Sequence, residues 1–249
     1  MQLGLIGAGN MATALARGWG DPVLVHDAHR PRAEALVAEL GGEVVDSNSE
    51  LAQRADVLLL AHKPAGLERV AREAGPDARG VISILGGVTL AALRAAYGAT
   101  PVVRVIPSVP VEVGQGVTCH ARDPEADAEL QAAAVVLFER VGLVFDLDES
   151  QMEIATALAS CAPAYIALVA EAQVDAGVRA GLPADVAGEL VAANIGGTAA
   201  LLQARGMDTL AVRRMVTSPG GVTARGLAAL EHAGVRAAFD DAMQAVVTR

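Results

Sequence analysis

Leu3-Gly4-Leu5-Ile6-Gly7-Ala8-Gly9-Asn10-Met11-Ala12-Thr13-Ala14-Leu15 is the stretch that decides how the chain is read. Residues 2–6 form an apolar run short enough for a buried parallel strand, Gly7 and Gly9 make a tight turn, and from Met11 the periodicity is helical. Gly7 lets the chain reverse. Gly9, lacking a Cβ, lets the backbone approach a pyrophosphate, which then rests on the unpaired N–H groups of a helix beginning near Asn10. Ala12 holds the third small position. Glycine turns are common, but one that follows a strand and opens a helix marks a dinucleotide-binding unit. Gly7, Gly9, Asn10, Met11 and Ala12 are thus the first expected cofactor-binding residues.

A chain of 249 residues is long enough for two unequal domains with a sizeable core. Apolar residues make up 53% of it and aromatics 2%, so that core is built from Ala, Val and Leu, which let helices pack closely. A net charge of −10 would repel nucleic-acid phosphates, and no basic run marks a membrane-surface helix. The expected partners are a small-molecule substrate and copies of the chain itself, with no nucleic acid and no membrane. Cys119 and Cys161 are too few for a disulfide framework, and without a C-x-x-C or a His cluster no metal site is expected. No apolar run approaches the ~20 residues that span a bilayer, and a strand starting at residue 2 leaves no room for a leader. The expected compartment is the cytoplasm.

Pro22 to Asp27 reads as a short strand ending in an acidic residue. Asp27 follows Gly9 at a spacing that suits a carboxylate accepting hydrogen bonds from the adenosine ribose, which favours NAD; Arg30 and Arg32 follow at once, and either can pair with a 2′-phosphate. NAD and NADP both stay open. Arg32 to Leu40 reads as a helix closed by Gly41-Gly42, Glu43 to Val45 as a strand and Ser49 to Arg54 as a helix. Asp56 to Ala61 has the continuous apolar character of a central parallel strand and ends in His62-Lys63-Pro64, which therefore faces the cofactor. His62 is a tempting proton donor there. Val81 to Ile84 and Pro101 to Ile106 are further strands flanking a helix from Leu90 to Tyr97. Ile106 to Pro110 is a rigid turn, Gly114 to Thr118 one more strand, and a helix from Pro124 to Val141 completes the domain. This alternation predicts a doubly wound parallel sheet, an N-terminal Rossmann-like α/β domain over residues 1–149.

From residue 150 the strand signals stop, and residues 150–249 read as an all-helical substrate and dimerisation domain. Met152 to Gly177, interrupted by Pro163, is apolar almost all round and so is expected to be buried on most faces. About 100 residues cover such a helix poorly, which calls for a second subunit. Ala184 to Leu202 is another helix. Thr217-Ser218-Pro219-Gly220-Gly221-Val222-Thr223 then forms a turn before a helix through Glu231, offering backbone N–H groups and hydroxyls to an anion such as a substrate carboxylate.

Taken together, Gly7 to Ala12, Ser47-Asn48, Leu60 to Pro64, Pro107 with Pro110, Pro163-Ala164-Tyr165 and Ser218 to Gly221 with Thr223 resemble the pyrroline-5-carboxylate reductase family along nearly the whole chain. The resemblance implies reduction of 1-pyrroline-5-carboxylate to L-proline by hydride transfer from NADH or NADPH, in a homodimer or larger assembly whose C-terminal helices interlock. It implies that Asn48 and the Ala61, His62, Lys63, Pro64 turn line the cofactor. Ser218 and the backbone of Gly220, Gly221 and Val222 would hold the substrate carboxylate, with Thr223 beside the ring nitrogen as the catalytic hydroxyl. Departures cluster near these faces: the family usually has Met-Pro-Asn where this chain has Ile106-Pro107-Ser108, Gly-Ser-Gly-Pro where it has Ser160-Cys161-Ala162-Pro163, and Val where it has His62. Two rivals stand beside this reading, a related imine or ketone reductase acting on another small carboxylate and a non-catalytic dinucleotide-binding sensor.

Overall fold

Eight strands and twelve α-helices follow one another in the described residues, 1–248, of the computed structural model. They fall into two units, Met1–Pro163 and Ala164 onward. In the first unit, β1 (Leu3–Ile6), α1 (Asn10–Trp19), β2 (Val23–His26), α2 (Arg30–Leu40), β3 (Gly42–Val44), α3 (Asn48–Arg54) and β4 (Val57–Leu60) alternate as expected. They are followed by α4 (Leu67–Ala74), β5 (Val81–Ser83), α5 (Leu90–Tyr97), β6 (Val102–Pro107), β7 (Gly116–Arg122), α6 (Ala128–Glu139), β8 (Gly142–Asp148) and α7 (Met152–Leu158). The strand order is 3-2-1-4-5-6-7-8.

The sheet is buried on both faces where it matters. On β4, Leu59 joins one cluster with Leu15 and Trp19 of α1 and Phe138 of α6, while Leu58 and Leu60 join another with Leu51, Val70 and Leu93 from α3, α4 and α5. This is why β4 reads as an unbroken apolar run. Trp19 donates its indole N–H to the Leu137 carbonyl at 3.0 Å and meets the Phe138 ring edge-on at 5.8 Å.

The sheet is not wholly parallel, which corrects the sequence reading. β7 runs antiparallel to β6, because the link between them is a single 3-10 turn, Val109–Val113, far too short for a crossover to a parallel strand. Nor does the sheet end at β7, since β8 pairs parallel to it. The apolar stretch after residue 149 is also divided: α7 ends at Leu158, and Pro163 lies in the first turn of α8 (Ala162–Arg179), where a missing N–H costs nothing. Met152 is buried with Leu90, Ile106 and Cys119, so α7 packs with the sheet that precedes it.

The second unit continues through α8, α9 (Ala184–Ala204), α10 (Thr209–Met215), α11 (Val222–His232) and α12 (Val235–Val247). Here the expectation of burial fails for the single chain. None of the α8 residues is buried, and Ile166 and Leu168 of α8, with Leu190 of α9, are exposed large apolar side chains. An 18-residue window within Glu149–Arg179 is, by length and composition, apolar enough to cross a membrane, contrary to the sequence reading. The structure splits that stretch between α7 and α8.

Candidate functional site

A cavity of about 1150 Å³ opens at the carboxyl ends of β1, β2, β4 and β5, where the strand order reverses between β1 and β4. Open parallel sheets bind ligands at that crevice. Gly7, Ala8, Gly9, Asn10 and Met11 line it, as do Asp27, Asn48, Ala61, His62, Lys63 and Pro64. Ala12 does not reach the cavity; it is buried beneath the turn.

The glycine turn is shaped from both sides. Gly7 has φ +107°, and a Cβ there would stand 2.9 Å from the backbone carbonyl of Ala61, so only glycine lets β1 and the end of β4 come so close. Gly9 is the N-cap of α1, and a Cβ on it would meet nothing within 4 Å. No side chain caps this helix end, and its first turn carries no acidic residue. The free N–H groups and the helix dipole therefore face the cavity ready for an anion. A dinucleotide pyrophosphate fits this cradle, and Gly9 is where a Cβ would fill it.

Asp27 is bound into the fold as well as facing the cavity. One carboxylate oxygen accepts the Ala8 N–H and the other the His29 N–H, each at 2.7 Å, which clips the end of β2 to the glycine turn. Arg30, an expected cofactor residue, does not line the cavity. It is held by Asp46 at 2.5 Å and Glu34 at 2.8 Å, and these hydrogen bonds hold its guanidinium above its ordinary pKa. Arg32 does line the cavity. Arg17, on the same wall, is paired with Glu39 and Glu112.

Asn48 is 4% exposed and donates its amide N–H to Glu73 Oε2 at 2.6 Å. That bond, with Arg69 beside it, holds the Glu73 carboxyl below its usual range, so Glu73 is an anion that can only accept. The orientation of Asn48 is fixed by this, and its Oδ1 is left buried with no partner. His62 is half-buried; its Nδ1 lies 2.8 Å from the Lys63 carbonyl, and burial keeps the ring below its ordinary pKa. A neutral imidazole with its proton on Nδ1 is an acceptor at Nε2, which removes His62 from the role of proton donor.

In the second unit, Ser218 to Thr223 form the turn into α11. Gly220 has φ +71°, which favours glycine, whereas a Cβ on Gly221 would meet chiefly the Ser218 hydroxyl, which can rotate away. The Gly221 N–H is already spent on the Ser218 carbonyl at 3.0 Å. What remains for an anion are the Ser218 hydroxyl and the N–H groups that follow at the uncapped start of α11, with Thr223 half-buried beside them.

Two of the three family departures lie off the cavity wall. Ser108 is buried and its Oγ accepts the Val117 N–H at 2.9 Å, tying β6 to β7. Cys161 sits at the break between α7 and α8, its N–H on the Thr156 carbonyl at 3.0 Å. The sequence reading missed Ile84, Leu85 and Gly86, which line the cavity from the end of β5, and Arg69 from α4. The rule that singled out the end of β4 applies equally to β5 and would have found the first three.

Comparison with known proteins bears on both halves. Residues 149–249 match the family model described as pyrroline-5-carboxylate reductase dimerisation, and residues 2–87 that of NADP oxidoreductase coenzyme F420-dependent. The pyrroline-5-carboxylate reductase of Synechocystis sp. is 36% identical over 258 residues, covering 100% of this chain and 97% of that protein. The crystal structure of Plasmodium falciparum pyrroline carboxylate reductase with NADP bound superposes with a TM-score of 0.89 at 27% identity, covering 99% of this chain and 95% of the other. The enzyme from Streptococcus pyogenes gives 0.90 at 28% identity, covering 99% and 96%. A glycine turn open to an anion and a full-length kinship with these enzymes lead to one conclusion: the chain belongs to the pyrroline-5-carboxylate reductase family.

Proposed function

We propose that this chain reduces 1-pyrroline-5-carboxylate to L-proline with NADH or NADPH as hydride donor. The observation that carries the reading is the match to such reductases over 100% of the chain, which includes both the cavity at the glycine turn and the Ser218 to Thr223 turn. The start of α1 at Gly9, Asn10 and Met11 would receive the pyrophosphate, Asp27 the adenosine ribose, and Asn48 with Ala61 to Pro64 the remainder of the cofactor. Ser218 and the backbone N–H groups from Val222 onward would hold the substrate carboxylate, with Gly220 and Gly221 shaping the turn that presents them.

When bound, the reduced dinucleotide supplies a hydride to the carbon of the C=N bond. A protonated cyclic imine is already a good hydride acceptor, so the protein's main tasks are alignment and hydrogen bonding at nitrogen. Fixing the carboxylate on rigid N–H groups would set the ring position, and the Thr223 hydroxyl would hydrogen-bond the ring nitrogen, with water as the source of the imine proton. Thr223→Ala should lower kcat on the order of a hundredfold, the scale of one lost hydrogen bond at the reacting centre, and leave the Kd of the cofactor unchanged. Steady-state kinetics beside a binding titration reads both; an unchanged kcat takes Thr223 out of the mechanism.

Asp27 gives a second test. Asp27→Ala removes the clip on the glycine turn, which weakens NADH and NADPH alike, and also removes the ribose acceptor, which weakens NADH further. The expected result is a larger rise in Kd for NADH than for NADPH. Equal rises would show that Asp27 serves the fold alone.

The dimerisation region and the exposed apolar side chains of α8 and α9 go with a homo-oligomer in which the C-terminal helices interlock with a partner's. A cytoplasmic enzyme without nucleic-acid or membrane partners completes the reading. Its direct test follows oxidation of NADH and of NADPH by absorbance, with and without 1-pyrroline-5-carboxylate. Imine-dependent oxidation is expected; cofactor binding without it would favour a sensor or another substrate.

A further inference from the structure

The apolar surface that the chain leaves bare is not confined to the second unit. Side chains along β8 alternate between the two faces of the sheet. Val144 packs with Leu137 and Phe138 of α6, whereas Leu147 packs with Met152 on the opposite face, the one α7 lies on. Leu143 and Phe145 stand in line with Leu147, opposite Val117 and Cys119 of β7, so they point to the α7 side. Nothing in the chain covers them: Leu143 is 57% exposed and Phe145 49%. On α7 itself, Met152 and Ala155 pack toward the sheet, while Ile154 and Leu158, one turn apart on another side of the helix, are also exposed. A seven-residue strand at the edge of a sheet, with apolar side chains bare along one face, is a surface that calls for a partner.

Three observations identify that partner. The matched dimerisation region begins at residue 149 and so takes in all of α7, although α7 belongs to the first unit. The dimer contact is thereby continuous with this face of the sheet. The helices of the second unit are bare and apolar in their turn, with Leu168 and Leu190 exposed, so each surface offers what the other lacks. The other face of β8 carries Asp146 and Asp148, and pairing β8 edge to edge with a second β8 would set two acidic strands side by side, which disfavours strand addition. We infer that the helical unit of a second copy packs over Leu143 and Phe145, on the α7 side of the β8 edge, so that self-association clamps the dinucleotide-binding unit as well as joining helix to helix. This rests on the homo-oligomer reading above and adds to it a surface outside the matched dimerisation region.

The test replaces Phe145 in the full chain by the photo-crosslinking residue p-benzoylphenylalanine and, as a control, does the same at Val136, which is 62% exposed on α6 across the sheet. The expected result is a crosslinked dimer from position 145 whose crosslinked peptide maps to α8–α12 of the other chain, and no dimer from position 136. A second measurement follows the mass of Leu143→Glu, Phe145→Glu by sedimentation. Burying two carboxylates without partners should raise the dissociation constant of the oligomer about tenfold or more. Neither residue lines the cavity, so the variant should bind NADPH as the unaltered protein does, which shows that the first unit has folded. Crosslinks that stay within one chain, that join β8 to β8, or that are as frequent from position 136 overturn the inference, and so does a dissociation constant that does not move. An unaltered protein that sediments as a monomer would instead remove the homo-oligomer reading beneath it.

Discussion

Gly9→Ala is expected to weaken dinucleotide binding by about a hundredfold or more, roughly 2.7 kcal/mol, in a protein that still folds. The backbone at Gly9 has φ −79° and ψ 179°, a conformation any residue adopts, and an added Cβ would touch no protein atom within 4 Å. Stability therefore gives no reason for glycine beyond the N-cap preference over alanine, below about 1 kcal/mol. That preference moves the unfolding midpoint by about 3 °C at most. The reason must lie in what approaches from the cavity side, and a methyl group there separates a pyrophosphate from the N–H groups that hold it. Gly9→Ser sharpens the experiment, because serine is a good N-cap and restores the lost stability while keeping the obstruction. Gly7→Ala is the opposite case: φ +107° and a collision with the Ala61 carbonyl make it a folding defect first. Titration with NADPH beside thermal unfolding separates the two. If Gly9→Ala bound NADPH as tightly as the unaltered protein, the anion cradle would have to be placed elsewhere.

The same contrast explains how much could be read from the residues alone. Where one local rule controls the outcome, the sequence was legible: the strand, turn and helix from Leu3 to Trp19, the two-sided burial of β4, and the α5 boundaries at Leu90 and Tyr97. The antiparallel turn of β7 was legible in principle, because too few residues separate it from β6 for a crossover, but it needed a rule of chain length rather than of periodicity. β8 was hidden by its composition. Asp146 and Asp148 interrupt the apolar pattern, and in the fold they are paired with His120 and Arg122 across from β7. α4 was hidden by its charges, although Leu67, Val70, Ala71 and Ala74 have the spacing of a buried stripe. Among the residues the sequence singled out around the site, residue types were legible and their commitments were not. Arg30 is spent on Asp46, Ser108 on Val117, and the two oxygens of Asp27 on backbone amides. Such commitments join residues far apart in sequence, and periodicity carries no trace of them.

Arg104 is the clearest of these long-range commitments, and it yields an asymmetric prediction. It lies on β6 at 1% exposure, donating from Nη1 to Glu149 at 2.9 Å and from Nη2 to Glu153 at 3.0 Å. Glu149 also accepts the Leu90 N–H at the start of α5, at 2.6 Å. The ion pairs thus bind the sheet, α5 and α7 together where the strands give way to helices. The two glutamates are about one-third exposed at the side chain, whereas the guanidinium has no route to water. Removing both carboxylates leaves a full charge buried without a counter-ion, and the loss should be about 3–5 kcal/mol, or on the order of 10 °C in Tm. Arg104→Met removes the buried charge itself, fills much of its volume, and leaves carboxylates that are already about one-third exposed to solvent, so it should cost distinctly less. Thermal unfolding of Arg104→Met beside the double variant Glu149→Ala, Glu153→Ala measures the difference. If the methionine variant proved as unstable as the double variant, the stabilising element would be the arginine's hydrogen bonds and not the neutralisation of its charge.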